Sequence, residues 1–446
     1  MPRTDWKRQI VLFLTSQSLS LLGSMVVQYA LMWHLTMTTQ SGEIMTLAVI
    51  VGFLPMLFIS PFAGVWADRL PKRWLIAASD ALAALSTLAL FIAAMMGHFG
   101  IPVILAAMAL RAVGQALQGP AVGAILPDIV PEKHLMRING YNGSIQSAIG
   151  LGSPLLAGAL LSLIPIQWVL LIDVVTAALA IFVMLALVHT PHAPADPDAS
   201  PTTALADLRD GFRYVIRHRF ISRLYWYFAV TFFLAAPVSF LTPLQVTRTY
   251  SNDVWRLTVI ESIFFVGMLL GGVIIGSWGG FRRRAATIAM AMVAMGVGTI
   301  LLGLPQPFFT YNIWMLAIGI FMPMMNAPTM TLLQVTVEPR YLGRTMSVMM
   351  MISSSAMPLG MLFFGPLADR VQIELILLVT GALIVAGSAL MFADRTIREG
   401  EPVGVTPPLT PESSDLPDGE TPVPASTPVP SVSPDGETPL PAPPSM

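Results

Sequence analysis

Residues 167–188 read QWVLLIDVVTAALAIFVMLALV, and Asp173 is the one charged residue among them. A helix needs about 20 mainly apolar residues to cross the hydrocarbon core of a bilayer, because each residue advances it by only about 1.5 Å. This stretch is long enough to cross and contains no turn signal that would end a helix early. It therefore predicts a membrane-spanning helix.

Similar apolar runs occupy most of the chain. Hydrophobic residues make up 55% of the sequence and charged residues only 11%, whereas soluble chains carry about 25% charged residues. The sequence therefore predicts an all-α integral membrane protein with twelve spans, six on each side of a polar central stretch. The other eleven runs lie at 9–34, 44–66, 74–97, 101–124 and 142–163, and then at 222–246, 257–279, 285–304, 309–332, 345–367 and 372–392.

The lysines and arginines are distributed unevenly between the two sides that these spans define. If the N-terminus is cytoplasmic, 20 of the 24 fall in cytoplasmic segments, one (Arg111) lies within a span, and three lie outside, namely Arg248, Arg256 and Arg370. Cytoplasmic loops of membrane proteins are enriched in these residues. We therefore expect both termini in the cytoplasm, which also requires an even number of spans.

Two polar segments separate or follow the predicted bundles. The predicted domains are an N-terminal six-helix bundle over 1–188, a cytoplasmic central loop over 189–220, a C-terminal six-helix bundle over 221–392 and a cytoplasmic tail over 393–446. Leu205, Leu208, Phe212, Val215 and Ile216 follow helical spacing within the loop, which predicts either an amphipathic helix on the membrane surface or a linker that ends in a helix. The tail is rich in proline and is expected to be disordered.

The two halves of the sequence share short motifs at a constant offset. The segment VPEKHLMR at 130–137 aligns with VEPRYLGR at 337–344, and GVW at 64–66 corresponds to GSW at 276–278. Two matches in the same order indicate two pseudo-symmetric six-helix bundles. Transporters built from such repeats place their binding site between the halves, near the middle of the membrane.

Composition also excludes several kinds of function. The chain has no cysteine, its six histidines form no HExxH or HxxxH pair, and none of its three lysines follows a glycine. A zinc site and an ATP-binding Walker A loop are therefore not expected. There is no basic domain of the kind that binds nucleic acid. We predict a protein that is not an enzyme, has no cofactor and no metal, and does not bind ATP or nucleic acid.

The connection between the second and third spans reads GVWADRLPKR, residues 64–73. An aspartate among basic residues at a membrane boundary can accept charge-assisted hydrogen bonds or face a helix N-terminus, so this loop could hold the two halves together and release them. The corresponding second loop, GSWGGFRRR at 276–284, has Gly280 in place of the acid. The residues predicted to form a conformational switch are Gly64, Asp68, Arg69, Lys72 and Arg73.

This loop resembles the signature loop of the major facilitator superfamily, in which the aspartate and the adjacent arginine take part in conformational switching. The fifth span contains GLGSPLLAG at 150–158, which is similar to a motif of antiporter branches and marks Gly152, Pro154 and Gly158. Residues 18–36, 111–140 and 205–214 resemble the macrolide-efflux type, the drug:proton antiporter-3 group.

The resemblance implies a monomeric secondary transporter in a bacterial inner membrane. It would export lipophilic small molecules, such as macrolides or several drugs, by alternating access in exchange for protons, with membrane lipids around it. A lysophospholipid flippase or a siderophore exporter on the same fold remains an alternative. A membrane sensor or scaffold that transports nothing is a more distant one.

Charged residues at bilayer depth are costly and usually serve a function or pair with each other. The candidates for proton or charge coupling are Arg111, Glu261, Asp173 and Asp80. A carboxylate held away from water can take up and release a proton near neutral pH, which favours Glu261 as the proton carrier. Asp80 and Asp173 fit structural pairing better. Polar and aromatic residues on helices that line the cavity in this family are the candidate substrate contacts, namely Gln17, Gln28, Tyr29, Tyr225, Trp226, Asn326 and Gln334.

Overall fold

A computed structural model describes residues 6–188 and 201–400 of the chain. Twelve of its helical segments are long and apolar enough to cross a membrane, which confirms the predicted number. The first six helices are α1 (Trp6–Thr39), α2 (Gly42–Arg69), α3 (Lys72–Met95), α4 (Ile101–Ile129), α5 (Glu132–Leu163) and α6 (Ile166–Ala186). We refer to them as the N-terminal half.

The second set begins after the central stretch. It consists of α7 (Pro201–Arg217), α8 (Arg219–Phe240), α9 (Thr242–Thr249), α10 (Val254–Trp278), α11 (Arg284–Leu302), α12 (Phe308–Thr336), α13 (Pro339–Ala368), α14 (Ile373–Ala393) and α15 (Arg395–Gly400). Helices α8 and α9 together form one span that is interrupted at Leu241, between Pro237 and Pro243. We refer to α8–α14 as the C-terminal half.

The same packing pattern occurs in both halves. In the N-terminal half α4 packs against α2 and α3, and α6 packs against α1 and α3; in the C-terminal half α12 packs against α10 and α11, and α14 packs against α8 and α11. The halves meet through α2 with α13 and through α5 with α10, two pairs that the repeat makes equivalent. The predicted fold of two pseudo-symmetric six-helix bundles is confirmed.

The two ends of the bundle differ in how closely the halves approach. We call the end with the connections 40–41, 96–100, 164–165, 250–253, 303–307 and 369–372 the arginine-poor end, and the opposite end the arginine-rich end. At the arginine-poor end Thr46 of α2 donates to the carbonyl of Met361 of α13 at 3.1 Å. Toward the arginine-rich end every residue of 139–148 in α5 is exposed or half-exposed. The halves are therefore in close contact at the arginine-poor end, whereas this stretch of α5 buries no side chain toward the arginine-rich end.

The predicted central loop contains a helix that packs on protein. Helix α7 contacts the start of α13, where the Tyr214 ring stacks on Tyr341 at 4.5 Å and Gly211 lies against the Arg344 backbone. Phe212 and Ile216 stay exposed on its other side, whereas the predicted Leu205 and Leu208 lie among residues whose side chains are not described. Residues 189–200 and 401–446 lie outside the described part, so the tail is described only to Gly400.

The connection between α10 and α11 has a backbone conformation that explains why it lacks the acid found in the connection between α2 and α3. Gly279 and Gly280 adopt φ angles of 77° and 83°, which side chains of L-residues rarely adopt. Gly280 occupies the position that corresponds to Asp68 in the aligned motif. The tight connection between α10 and α11 therefore requires glycine at this position.

Candidate transport site and coupling residues

Glu261 is an acid inside the C-terminal half. It lies on the second turn of α10 and lines a cavity together with side chains from α8, α9, α11, α12 and α13, among them Ser239, Thr242, Met295, Met315 and Met357. Among the described residues, no hydrogen bond or ion pair holds its carboxylate. It interacts electrostatically with the phenols of Tyr29 in the other half and Tyr311. The lack of a fixed partner distinguishes Glu261 from Asp80 and Asp173, whose carboxylates accept hydrogen bonds.

The cavity at Glu261 is small and mainly apolar. Its volume is about 90 Å³, whereas pockets for drug-sized ligands measure about 300–1,000 Å³. The space holds a few water molecules or one substituent of a larger molecule. The Glu261 cavity is therefore too small to enclose a drug-sized molecule.

The contact between α5 and α10 brackets Glu261 along the chain. One turn before it, Thr258 meets Gly158, and one turn after it, Phe265 meets Gly150. A Cβ atom on Gly158 would lie only 1.9 Å from Thr258 Oγ1, so the close approach of these helices depends on glycine. The glycine-rich motif of α5 thus packs on the helix that carries Glu261, at positions one turn before and one turn after it.

Arg111 and Asp173 form a buried ion pair in the N-terminal half, with side chains 1% and 0% exposed. Arg111 Nη1 donates to Asp173 Oδ2 and Thr87 Oγ1, and Nη2 donates to the Ser24 carbonyl at 3.0 Å. Ser24 Oγ and Thr87 Oγ1 donate to the two carboxylate oxygens at 2.9 and 2.8 Å. The structure thus brings these two predicted residues together and encloses them between α1, α3, α4 and α6.

Asp80 forms a separate polar cluster in the same half. Its Oδ1 accepts from Ser20 Oγ at 2.6 Å and from Gln118 Nε2 at 2.8 Å, and Gln118 also donates to Gln17 Oε1 at 3.2 Å. The residue is 3% exposed, and its Oδ2 has no hydrogen-bond partner. Asp80 and Gln17 therefore belong to one network that contains no basic side chain among the described residues.

The two clusters form layers that are related by helical spacing. The first layer uses Gln17 and Ser20 of α1, Asp80 of α3 and Gln118 of α4; the second uses Ser24, Thr87 and Arg111 of the same helices. Seven residues separate the members on α3 and on α4, which is about 10.5 Å along a helix. Ser20, Ser24, Thr87 and Gln118 were not predicted. For Thr87 and Gln118 the available signal was their seven-residue spacing from Asp80 and Arg111.

The loop over 64–73 is described only in part. Lys72 Nζ contacts Asp128 Oδ2 at 2.7 Å, a half-buried ion pair within one half, and the Arg73 guanidinium lies 5.9 Å from the Trp74 ring centre. Gly64, Asp68 and Arg69 lie in the last turns of α2, where the side chains of Asp68 and Arg69 are outside the described residues. The predicted switch role of the loop remains a prediction.

The remaining candidates lie in different surroundings. Tyr225 is buried and donates to the Thr345 carbonyl at 2.8 Å, whereas Trp226 is 63% exposed. Tyr29 is half-buried with its ring 5.5 Å from that of Trp33. Gln28 and Asn326 are half-buried, Gln334 is exposed, and in α5 Gly152 is half-buried while Pro154 is buried. Of these residues, Tyr29 is the one that the structure connects to Glu261.

Two matched helical bundles around a central space, with charges enclosed in each half, define a multi-pass membrane transporter. The family model of the Major Facilitator Superfamily matches residues 10–361. The chain belongs to this superfamily, and it is a transporter rather than an enzyme.

Two relatives that are named as efflux proteins align with most of the chain. Macrolide efflux protein A of Streptococcus pyogenes is 27% identical over 383 residues, which cover 85% of this chain and 94% of the relative. Multidrug efflux pump Tap of Mycolicibacterium fortuitum is 25% identical over 370 residues, which cover 78% of this chain and 86% of that pump. The predicted resemblance to the macrolide-efflux type is confirmed.

Solved structures share the fold at low sequence identity. A bacterial homologue of the human lysosomal transporter Spinster, solved in an inward-facing and unoccupied conformation, superposes with a TM-score of 0.67 at 16% identity and covers 90% of this chain and 99% of its own. The nucleoside transporter NupG gives a TM-score of 0.68 at 14% identity, with 87% of this chain and 99% of that one covered. These likenesses concern the fold alone.

Proposed function

We propose that the protein exports lipophilic small molecules, of the macrolide or multidrug type, by alternating access in exchange for protons. The arginine-rich end and both termini would face the cytoplasm of a bacterial inner membrane, in line with the bias of basic residues toward that side. Two relatives named for macrolide and multidrug efflux support the substrate class. The opening at the arginine-rich end would then admit substrate from the cytoplasm or the inner leaflet.

The observation that carries the proposal is the position of Glu261. Its carboxylate has no fixed partner among the described residues, and Thr258 and Phe265 contact the other half one turn before and after it. An ionised carboxylate is tolerated where water reaches it, but its enclosure costs several kcal/mol. Closure of the halves around Glu261 therefore requires a proton on the carboxyl group. Opening to water allows that proton to leave, and this links proton transfer to the movement.

Substrate would bind between the halves, next to the Glu261 cavity. Tyr29 reaches this region from α1 and carries a hydroxyl and an aromatic face, which suit a large lipophilic molecule with a few polar groups. We propose Tyr29, together with the half-buried Gln28 and Asn326, as the first substrate contacts to test. A cationic or neutral substrate that binds next to Glu261 would compete with protonation of its carboxylate.

The test compares Glu261→Gln with the parent in proteoliposomes that carry a macrolide and an imposed pH gradient. Glutamine imitates the protonated acid, so the variant should close without a proton. We expect uphill, gradient-driven transport to fall by about 100-fold or more, in the range lost when a positioned acid–base group is removed. Downhill substrate exchange should persist. Glu399→Gln, an exposed acid on α15, is the matched control.

The outcomes separate the substrate class from the coupling mechanism. If Glu261→Gln pumps uphill as well as the parent, the proton role of Glu261 is wrong. If neither the parent nor the Glu399→Gln control moves a macrolide or another lipophilic drug, the substrate class is wrong. Lipids and siderophores in the same vesicles would then test the two alternatives on this fold.

A further inference from the structure

The connection between α1 and α2 is held in an unusual backbone conformation. Gln40 has a φ of 48° and is the one non-glycine residue of the described chain with a positive φ. Its N–H donates to the Thr36 carbonyl at 3.0 Å, so it ends α1. The residues that follow, from Ser41 to Glu43, begin α2 with their backbone N–H groups unpaired within the helix.

Asp369, at the end of α13 in the other half, binds this helix start. Its carboxylate accepts from Ser41 Oγ at 2.8 Å and from the backbone N–H groups of Gly42 and Glu43 at 2.8 and 2.9 Å. A carboxylate at a helix N-terminus both satisfies free N–H groups and faces the positive end of the helix dipole. The residue therefore caps a helix to which it does not belong.

Arg248, at the end of α9, completes the contact. Its Nη2 donates to Asp369 Oδ1 at 2.8 Å, and its Nη1 donates to the Ala368 carbonyl at 2.7 Å. Its Nε donates to the Gln40 carbonyl at 3.2 Å, and Nη2 also contacts that oxygen. Asn252 Nδ2 adds a hydrogen bond to the Met37 carbonyl at 3.0 Å. The strained turn thus presents its carbonyl to an arginine of the other half.

The two sides of this contact belong to different halves, and close packing lies directly beneath it. The N-terminal half contributes the turn over 37–43, and the C-terminal half contributes Arg248, Asn252 and Asp369. Immediately below, a Cβ atom on Gly42 would lie 2.2 Å from the Gly365 carbonyl oxygen. We call the three C-terminal residues and the turn the clasp.

We propose that the clasp is the gate of the arginine-poor end, with Asp369 as the positioning residue that holds the halves closed there. The inference rests on the alternating access of the proposed function, because the gate must open once in each cycle. Release of the clasp would leave the N–H groups of Gly42 and Glu43 without their acceptor and Arg248 without its carboxylate. Its formation therefore favours the state that is open at the arginine-rich end.

The experiment measures a distance across the gate with spin labels. The chain has no native cysteine, so His98→Cys and Leu304→Cys, both exposed and on different halves, give a clean label pair. Asp369→Asn keeps the shape of the side chain but replaces an acceptor oxygen with a donor. We expect the ratio of open to closed populations to rise by about tenfold or more, since several hydrogen bonds to a charged group are lost.

Two further variants make the result specific. Asp253→Asn removes a carboxylate at the same end whose partner, Arg256 at 3.4 Å, lies within the same half, so its distribution should equal that of the parent. Ser41→Ala removes one of the four donors and should shift the ratio in the same direction but less. It also keeps the test available if Asp369→Asn does not fold.

The outcomes decide the inference independently of transport. An open population that grows in the order parent, Ser41→Ala, Asp369→Asn, with Asp253→Asn unchanged, supports the gate. Equal distributions in the parent, Asp369→Asn and Ser41→Ala overturn it. Because the distances are measured without substrate or a pH gradient, a failure of drug export or proton coupling would not affect this readout.

Discussion

At the scale of single residues, the two buried aspartates of the N-terminal half differ in one respect. Asp173 has an arginine partner and hydrogen bonds to both carboxylate oxygens, whereas Asp80 has hydrogen bonds to only one oxygen and no basic neighbour among the described residues. The removal of one member of a buried ion pair leaves an uncompensated charge. A lone buried acid has no such pair to break.

This difference predicts opposite effects of the same substitution. Asp173→Asn should lower the free energy of unfolding by about 3–5 kcal/mol, because Arg111 is left buried without its counter-charge. Asp80→Asn should leave stability unchanged or raise it, since the amide oxygen can keep both hydrogen bonds and Oδ2 has none to lose. Unfolding of the purified variants in detergent, followed by tryptophan fluorescence, measures both.

The partly exposed pair between Lys72 and Asp128 provides the control, because Asp128→Asn should cost only about 0–1 kcal/mol. If Asp173→Asn is as stable as the parent, the buried pair does not stabilise the bundle as described. If Asp80→Asn is strongly destabilised, Asp80 does not behave as a lone buried acid.

All four charges within the spans are visible in the sequence, but their partners are not. Arg111 and Asp173 lie 62 positions apart, and no local spacing connects them. Likewise, Asp369 and Arg248 read as ordinary loop residues, because the helix start that Asp369 caps belongs to the other half. Contacts that depend on how two bundles meet cannot be derived from the periodicity of either one.

At the scale of helices, the clasp should respond to acid in a defined way. Burial acts to raise the pKa of Asp369, but the N–H groups of Gly42 and Glu43, the Ser41 hydroxyl and Arg248 outweigh it, so the pKa lies below its ordinary value. Because folding lowers the pKa of Asp369, its ionised carboxylate stabilises the clasp fully at a pH above its pKa in the unfolded chain, about 3.9. This stabilisation is lost as the pH falls through the pKa of Asp369 in the folded protein.

In a Glu261→Gln background, in which the proposed proton carrier cannot titrate, the closed population of the His98–Leu304 label pair should therefore not change between about pH 8 and pH 5, because Asp369 stays ionised throughout that range. The measurement is the same distance distribution recorded across the pH series. An opening of the gate with a midpoint near neutral pH in this background would show that a group other than Asp369 and Glu261 controls it. The parent, in which Glu261 can titrate, should close further as the pH falls through that range.

The packing of α5 on α10 gives a second test at this scale. A methyl group at Gly158 would collide with Thr258, whereas one at Gly152 would meet no atom within 4 Å. Gly158→Ala should force the helices apart and reduce transport by about tenfold or more, and Gly152→Ala should be tolerated. Initial rates of macrolide efflux from cells that contain equal amounts of each variant measure the difference.

Equal transport by both alanine variants would show that the close approach at Gly158 is not needed for the cycle. The small residues of this motif are visible in the sequence, but they do not show which glycine faces another helix. Hydrophobic spacing in the central loop likewise predicts an amphipathic helix but does not reveal whether its apolar side meets lipid or protein. The structure places Tyr214 and Gly211 of α7 on α13.

At the scale of the whole molecule, the sequence was most informative. Apolar runs predicted twelve spans, and the aligned motifs predicted two equivalent halves, because both properties repeat along the chain. Span boundaries were less accurate: α1 begins at Trp6 and ends at Thr39, beyond the apolar run 9–34, since helices continue past the hydrocarbon core. The break between α8 and α9 was not predicted, although Pro237 and Pro243 lie on either side of it.

The proposed mechanism requires two halves that rock about the region of Glu261, so that one end closes as the other opens. The direct measurement is a pair of distances under the same conditions, His98 to Leu304 at the arginine-poor end and Ser144 to Ser347 toward the arginine-rich end, each labelled through cysteine. With a transported drug and a pH gradient, the first distance should lengthen while the second shortens. Two distances that stay constant while the labelled protein transports drug would contradict this mechanism.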